Sequence, residues 1–262
     1  AEANPQQCLV DSVGLDERLL ILEAETGSGK TEAAFWRFAR LFEAGEVDGL
    51  YFAVPTRTAA MQLHRRIGAM LRHFLVGVPL EAFLAVPGYL RAGAAEGQAL
   101  PDWKVRWDDE ATADEAVRTA RWAAESSRRF LAAPVAVGTV DQAMLAGLPV
   151  KHAHLRAAAL CRSLLVIDEV HASDRYMTEI QVALVDQHLR RGGHAMLMSA
   201  TLGSVARARW LGLASAPDFE AAVAAPYPAV WVRHGAERSA TPALRQKPVA
   251  MTTLPTMAPD AA

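Results

Sequence analysis

The sequence is poor in features that stabilise secreted or membrane-bound proteins. Of 262 residues only two are cysteine, Cys8 and Cys161. That is too few for a disulfide framework and fits a reduced, cytoplasmic setting. Net charge is nearly absent: 27 Lys+Arg stand against 29 Asp+Glu, a formal −2. This excludes a bulk electrostatic nucleic-acid binder but leaves room for a local basic groove. No signal peptide and no internal repeat are visible. The most apolar window, residues 131–150, is broken by Pro134, Asp141, Gln142 and Pro149, so no segment reads as a membrane span. The first residue is Ala1 rather than Met, so a processed chain or a piece of something longer is expected. With 52% hydrophobic and 21% charged residues, the chain can bury a core, and global disorder is excluded. The length fits one large domain or two small ones.

Apolar runs alternate with helix-length segments, the pattern of β–α–β units around a mostly parallel sheet. Strands are expected at 19–24, 50–55, 135–139, 164–170 and 195–201, with a weaker one at 83–86. The runs are almost continuously apolar, as befits strands covered on both faces. Helices are expected at 30–42, 58–74, 114–131, 176–190 and 205–211. Residues 87–113 break the rhythm with Gly88, Gly93, Gly97, Pro101 and the run Asp108-Asp109-Glu110, and read as an insertion or long loop at the sheet's edge. The division expected is one α/β lobe over 1–213 and an extension or linker over 214–262. Within the latter, 230–233 could add a strand, and 239–262 is Pro-, Thr- and Ala-rich.

The strongest motif is Ala24-Glu25-Thr26-Gly27-Ser28-Gly29-Lys30-Thr31, which has P-loop spacing with Ala in place of the first Gly. Glycines let consecutive N–H groups face a phosphate, and the following helix adds its positive end. Lys30 would reach the β- and γ-phosphates of ATP, and the Thr31 hydroxyl would bind Mg²⁺. Basic residues in this chain are overwhelmingly arginine, yet a lysine stands at this position. A second motif, Asp168-Glu169-Val170-His171, closes a buried strand. There Asp168 is placed to hold Mg²⁺, and Glu169 to orient and deprotonate the attacking water. His171, which could equally be a packing residue, is placed to sense the nucleotide. A third, Ser199-Ala200-Thr201, ends an apolar strand about thirty residues further on; Thr201 could simply cap the next helix.

These elements together resemble a superfamily 2 helicase. In order they are Gly27–Thr31, Pro55-Thr56-Arg57, Gly138-Thr139, Asp168–His171 and Ser199–Thr201. Asn4-Pro5-Gln6-Gln7 looks like that family's adenine-reading glutamine motif, with Gln7 favoured over Gln6. The stretches 27–34, 132–145, 151–160 and 164–174 sharpen the match: Gly27–Thr31 and Asp168–His171 are shared by many helicases, while 138–145 and the segment leading into the acidic motif are more specific. They are similar to the CRISPR-associated helicase–nuclease of type I interference systems, a resemblance covering residues 4 to 235. Glu25 departs from it, since Pro commonly precedes the Thr there.

The resemblance implies a RecA-like lobe that binds Mg·ATP. It also implies that Pro55, Thr56, Arg57, Gly138, Thr139 and Gln142 grip single-stranded DNA, and that Ser199, Ala200 and Thr201 couple nucleotide state to that grip. The implied partners are a second RecA-like lobe, an HD nuclease and an RNA-guided surveillance complex. The first two are expected to lie outside this sequence: none of its eight His precedes an Asp, and His152 and His154 lack a carboxylate-rich ligand set.

A second basic–aromatic set is Trp103, Arg106, Trp107, Arg118, Arg121, Trp122, Arg128 and Arg129. Such residues can stack unpaired bases, but helical spacing favours a solvated face with Trp122 in the core. Two rival readings stay open. One is a DExH lobe from another DNA or RNA process, and the other is a nucleotide-gated docking module that does not hydrolyse ATP.

Overall fold

A computed structural model describes residues 4–75, 77–78, 80–93, 95–101, 105–108, 115–233 and 237–239. In chain order the elements are α1 (Pro5–Asp11), β1 (Leu19–Glu23), α2 (Lys30–Glu43), β2 (Gly49–Val54), α3 (Arg57–Phe74) and β3 (Ala82–Ala85). The short strands β4 (Arg91–Ala92), β5 (Ala95–Ala99) and β6 (Val105–Trp107) follow, then α4 (Glu115–Ala124) and β7 (Val135–Thr139). Next come α5 (Val140–Met144), α6 (Ala153–Leu160), β8 (Ser163–Ile167), α7 (Arg175–Arg190) and β9 (His194–Ser199). The described chain closes with α8 (Ser204–Leu211), α9 (Phe219–Val223), β10 (Ala229–Val232) and β11 (Arg238–Ser239).

The sheet order is β11-β10-β1-β9-β8-β2-β7-β3-β4-β5-β6. From β1 to β3 every pairing is parallel, and antiparallel strands extend both edges. The parallel strands are buried along their whole length. Their side chains alternate between two cores. Ile21, Tyr51, Ala136, Leu165 and Leu197 pack with α4 to α8, while Leu20, Phe52, Val137, Val166 and Met196 pack with α1 to α3. Burial on both faces is why these strands read as unbroken apolar runs.

Three differences from the sequence reading stand out. The run expected as one helix over 114–131 is helical only to Ala124; beyond it the Ser126 carbonyl and hydroxyl take up the N–H groups of Arg129 (2.8 Å) and Arg128 (3.4 Å). The described part of 87–113 is no plain loop but the β4–β6 extension of the sheet. The further strand that the sequence allowed at 230–233 forms at 229–232, antiparallel to β1. The run 164–170 stops pairing at Ile167, because Glu169 turns into the left-handed region (φ 53°). Trp103, Asp109, Glu110 and residues 240–262 lie outside the described residues.

Candidate nucleotide and nucleic-acid site

The parallel strands deliver their C-terminal ends to one edge of the sheet, where ligands of open α/β folds bind. The register places Glu23 beside Ser199, Ala53 beside Ile167 and Gly138, and Val54 beside Thr139. The Ala24 N–H donates to Ser199 O (3.1 Å), tying the start of the phosphate loop to the end of β9. Gly27 and Gly29 have φ of 76° and 96°, values that side chains disfavour. At Gly29 a Cβ would also meet the Asn4 amide at 2.3 Å.

Lys30 is buried, and its Nζ donates to Ala24 O (2.8 Å) and Glu25 O (3.2 Å), bridging the loop's own carbonyls. Thr31 is half-buried in the first turn of α2, Thr26 is exposed, and the buried Ser28 hydroxyl has no partner among the described residues. A bridging ammonium, an orphaned hydroxyl and an open glycine turn are what a phosphate chain needs, so these residues fit the group.

The glutamine region folds as α1 with a reciprocal cap: Gln7 N–H donates to Asn4 Oδ1 and Asn4 N–H to Gln7 Oε1, both at 2.8 Å. Gln7 thus has its oxygen engaged locally, and Gln6 is buried. Gln7 still lines a cleft of about 540 Å³ with Glu32, Phe35, Trp36 and Phe74. The buried Arg37 of α2 donates to the carbonyls of Val13, Gly14 and Glu17 at 2.8–2.9 Å, which fixes the chain leaving α1 against the phosphate-loop helix.

At the end of β8, Asp168 N–H donates to Ala53 O (2.9 Å) and Glu169 N–H to Asp168 Oδ1 (3.0 Å). Burial, followed by the Glu169 charge, pushes the Asp168 carboxyl up to about 6, and Lys30 and His171 pull it the other way. Two crowded carboxylates facing a lysine suit a divalent cation. His171 Nδ1 lies 2.9 Å from Ser199 Oγ and 3.2 Å from Glu169 Oε2. Ser199 Oγ in turn accepts the Thr201 N–H (3.1 Å), and Ala200 O accepts the Tyr227 hydroxyl (3.0 Å). Thr201 does not cap the next helix; Gly203 holds that position, with no side-chain cap.

Sequence reasoning missed Glu23. Buried at the end of β1, it accepts the Leu202 N–H (3.1 Å) and pairs with the buried Arg207 (2.8 Å), whose guanidinium lies 3.9 Å from the Trp231 ring centroid. A carboxylate closing an apolar strand was its only sequence signal.

Pro55, Thr56 and Arg57 are exposed at the start of α3, where Thr56 Oγ1 accepts the Ala59 N–H (3.1 Å). Gly138 and Thr139 share that end of the sheet but are buried. Thr139 O accepts the Tyr51 hydroxyl (3.1 Å). Gln142 is half-buried in α5. The two described tryptophans of the basic–aromatic set part company: Trp107 packs on the core, whereas Trp122 is 49% exposed rather than buried. Among the described residues no group of three or more His, Cys, Asp or Glu could hold a metal, and no helix is long and apolar enough to cross a membrane.

A parallel sheet with a glycine-turned phosphate loop after one strand and paired carboxylates after another defines a RecA-like P-loop lobe. No protein-family model matches the chain. It is homologous to the CRISPR-associated helicase–nucleases, as the sequence resemblance implied. It is 33% identical to the CRISPR-associated endonuclease/helicase Cas3 of Escherichia coli, over 75% of this chain and 21% of that one. Against the Cas3 of Thermus thermophilus the identity is 36%, over 90% and 25%. The ADP-bound crystal structure of T. fusca Cas3 superposes with a TM-score of 0.67 at 26% identity, over 88% of this chain and 26% of that one. The chain therefore spans about a fifth to a quarter of the length of these curated relatives.

Proposed function

We propose that this chain is the ATP-binding lobe of an ATP-dependent helicase or translocase acting on single-stranded DNA in type I CRISPR interference. It would work in the cytoplasm with a second RecA-like lobe, an HD nuclease and an RNA-guided surveillance complex. The observation that carries the reading is the meeting of Lys30 and the Asp168–Glu169 pair at one sheet edge, with Asp168 raised to about 6 where a cation would relieve it. The ADP-bound relative supports a nucleotide there.

In this reading Gly27, Ser28 and Gly29 cradle phosphates together with Thr26, and Gln7 faces the base. Lys30 leaves the Ala24 and Glu25 carbonyls to bind the β- and γ-oxygens. Thr31 and Asp168 would hold Mg²⁺, which would supply charge neutralisation. Glu169 orients the attacking water and takes its proton. His171 bridges Glu169 to Ser199, so a change at the γ-phosphate reaches the Ser199–Thr201 segment. Pro55, Thr56, Arg57 and Gln142 contact the DNA backbone beside the buried Gly138 and Thr139.

The test is calorimetric titration of Mg·ATP into the chain. Lys30→Ala should weaken binding more than tenfold, because the loop's only ammonium is lost, and unchanged affinity would remove the loop from the site. Glu169→Gln should keep ATP binding yet abolish turnover once the lobe is joined to its partner lobe. Wild-type turnover in that variant would exclude Glu169 as the base.

A further inference from the structure

The flank made by α4, the turn after it and the start of α6 gathers positive charge on a chain whose total is −2. Arg156, itself buried, donates from Nη1 to Lys151 O (3.2 Å) and from Nη2 to Ser127 O (3.4 Å). This pins the segment before α6 against the turn after α4. Exposed Arg128, Lys151 and His154, with half-buried His152, are thereby brought to one surface. Burial and then the neighbouring charges, Arg128 and Arg156 first, hold the His152 pKa below its ordinary value. Beside Arg128, the Arg129 guanidinium lies 4.7 Å from the centroid of the exposed Trp122 ring, with Glu125 3.8 Å from Arg129.

Such a surface has two unmet demands. Like charges crowded together favour a polyanion, and an exposed indole under a guanidinium favours another flat ring. An acidic protein would meet both only if it set an aromatic ring beside its carboxylates, whereas every unpaired nucleotide carries a ring beside its phosphate. A duplex would leave Trp122 unused, since its base faces are already stacked. An unpaired strand meets both, with phosphates for the cations and a base for the indole.

We propose that this flank is a second single-strand nucleic-acid contact, separate from residues 55–57 and 138–142. Trp122 would be its stacking platform, and Arg128, Lys151 and His154 its phosphate contacts. The proposal is independent of the nucleotide reading.

The experiment measures binding of a labelled oligothymidine to the purified chain across a salt series, beside a duplex of equal length. Trp122→Ala should weaken single-strand binding about fivefold or more and leave the salt slope unchanged. Arg128→Ala and Lys151→Ala should each lower the slope by about one. Tryptophan emission should be quenched on saturation, less so in Trp122→Phe, and the quench should persist in Arg57→Ala. The idea is overturned by any one of four results. These are no binding of the oligonucleotide, Trp122→Ala within twofold of the parent, equal affinity for duplex, or polyglutamate binding that depends on all three side chains alike. Arg128 and Lys151 are exposed and outside regular elements, so their variants report even where Trp122→Ala loses its fold.

Discussion

Gly138 shows how little room a residue can have. A Cβ there would stand 2.5 Å from Tyr51 Oη, 2.6 Å from Ala85 O and 2.8 Å from Ala85 Cβ. Gly138→Ala should cost about 1–3 kcal/mol, the usual range for overpacking, as read from urea unfolding. Adding Tyr51→Phe should recover only part of the loss, since the Ala85 oxygen stays. The resemblance implies a DNA contact for the Gly-Thr pair, and the packing demand on its glycine was invisible because Tyr51 lies on a different strand. By contrast the placement of Lys30, Asp168 and Glu169 just beyond buried strands was legible, as their spacing is local to one loop or one strand end. The left-handed turn at Glu169 was not: a non-glycine residue gives no sign of it.

At the scale of elements, the doubly buried strands were the most legible, for their apolar runs owe nothing to distant partners. The helix α1 was hidden because Asn4 and Gln7 read as a ligand motif, whereas the structure gives both a capping role. Strands β4 to β6 were hidden because each is short and partly exposed, and pairing rather than pattern defines them. The link between β1 and α8 was equally unreadable, since Glu23 and Arg207 are far apart in sequence. Removing one partner of a buried ion pair strands the other. Arg207→Ala should therefore lower unfolding free energy by about 3–5 kcal/mol, while Glu23→Gln with Arg207→Met should cost clearly less. Equal losses in urea unfolding would show that the charge pair is not what holds α8 to the sheet.

For the molecule as a whole, acid stability should carry the mark of His194. This side chain is buried at the start of β9, and neither ring nitrogen has a hydrogen-bond partner among the described residues. Burial and then Arg37 lower its pKa from 6.5 to about 4. The unfolded chain binds the proton more readily, so this contribution to stability is present above pH 6.5 and is lost as pH falls toward 4. Buried His188 shifts the same way, so it adds to the trend. The urea midpoint should decline over that window, and less steeply in His194→Gln; parallel curves for the two proteins would rule His194 out as the cause.

The position of β1 has a consequence for how the protein is made. It precedes the phosphate loop and emerges before the other described strands, yet its neighbours in the sheet are β9 and β10, near the far end of the described chain. During synthesis the loop stays without a scaffold while most of the sheet assembles around β2, β3, β7 and β8. Closing the sheet over β1 is the longest-range step, and such steps are slow. The capacity to hold a nucleotide is therefore acquired only once the last strands of this lobe have been made, and until then an apolar strand and an open sheet edge need protection from other chains.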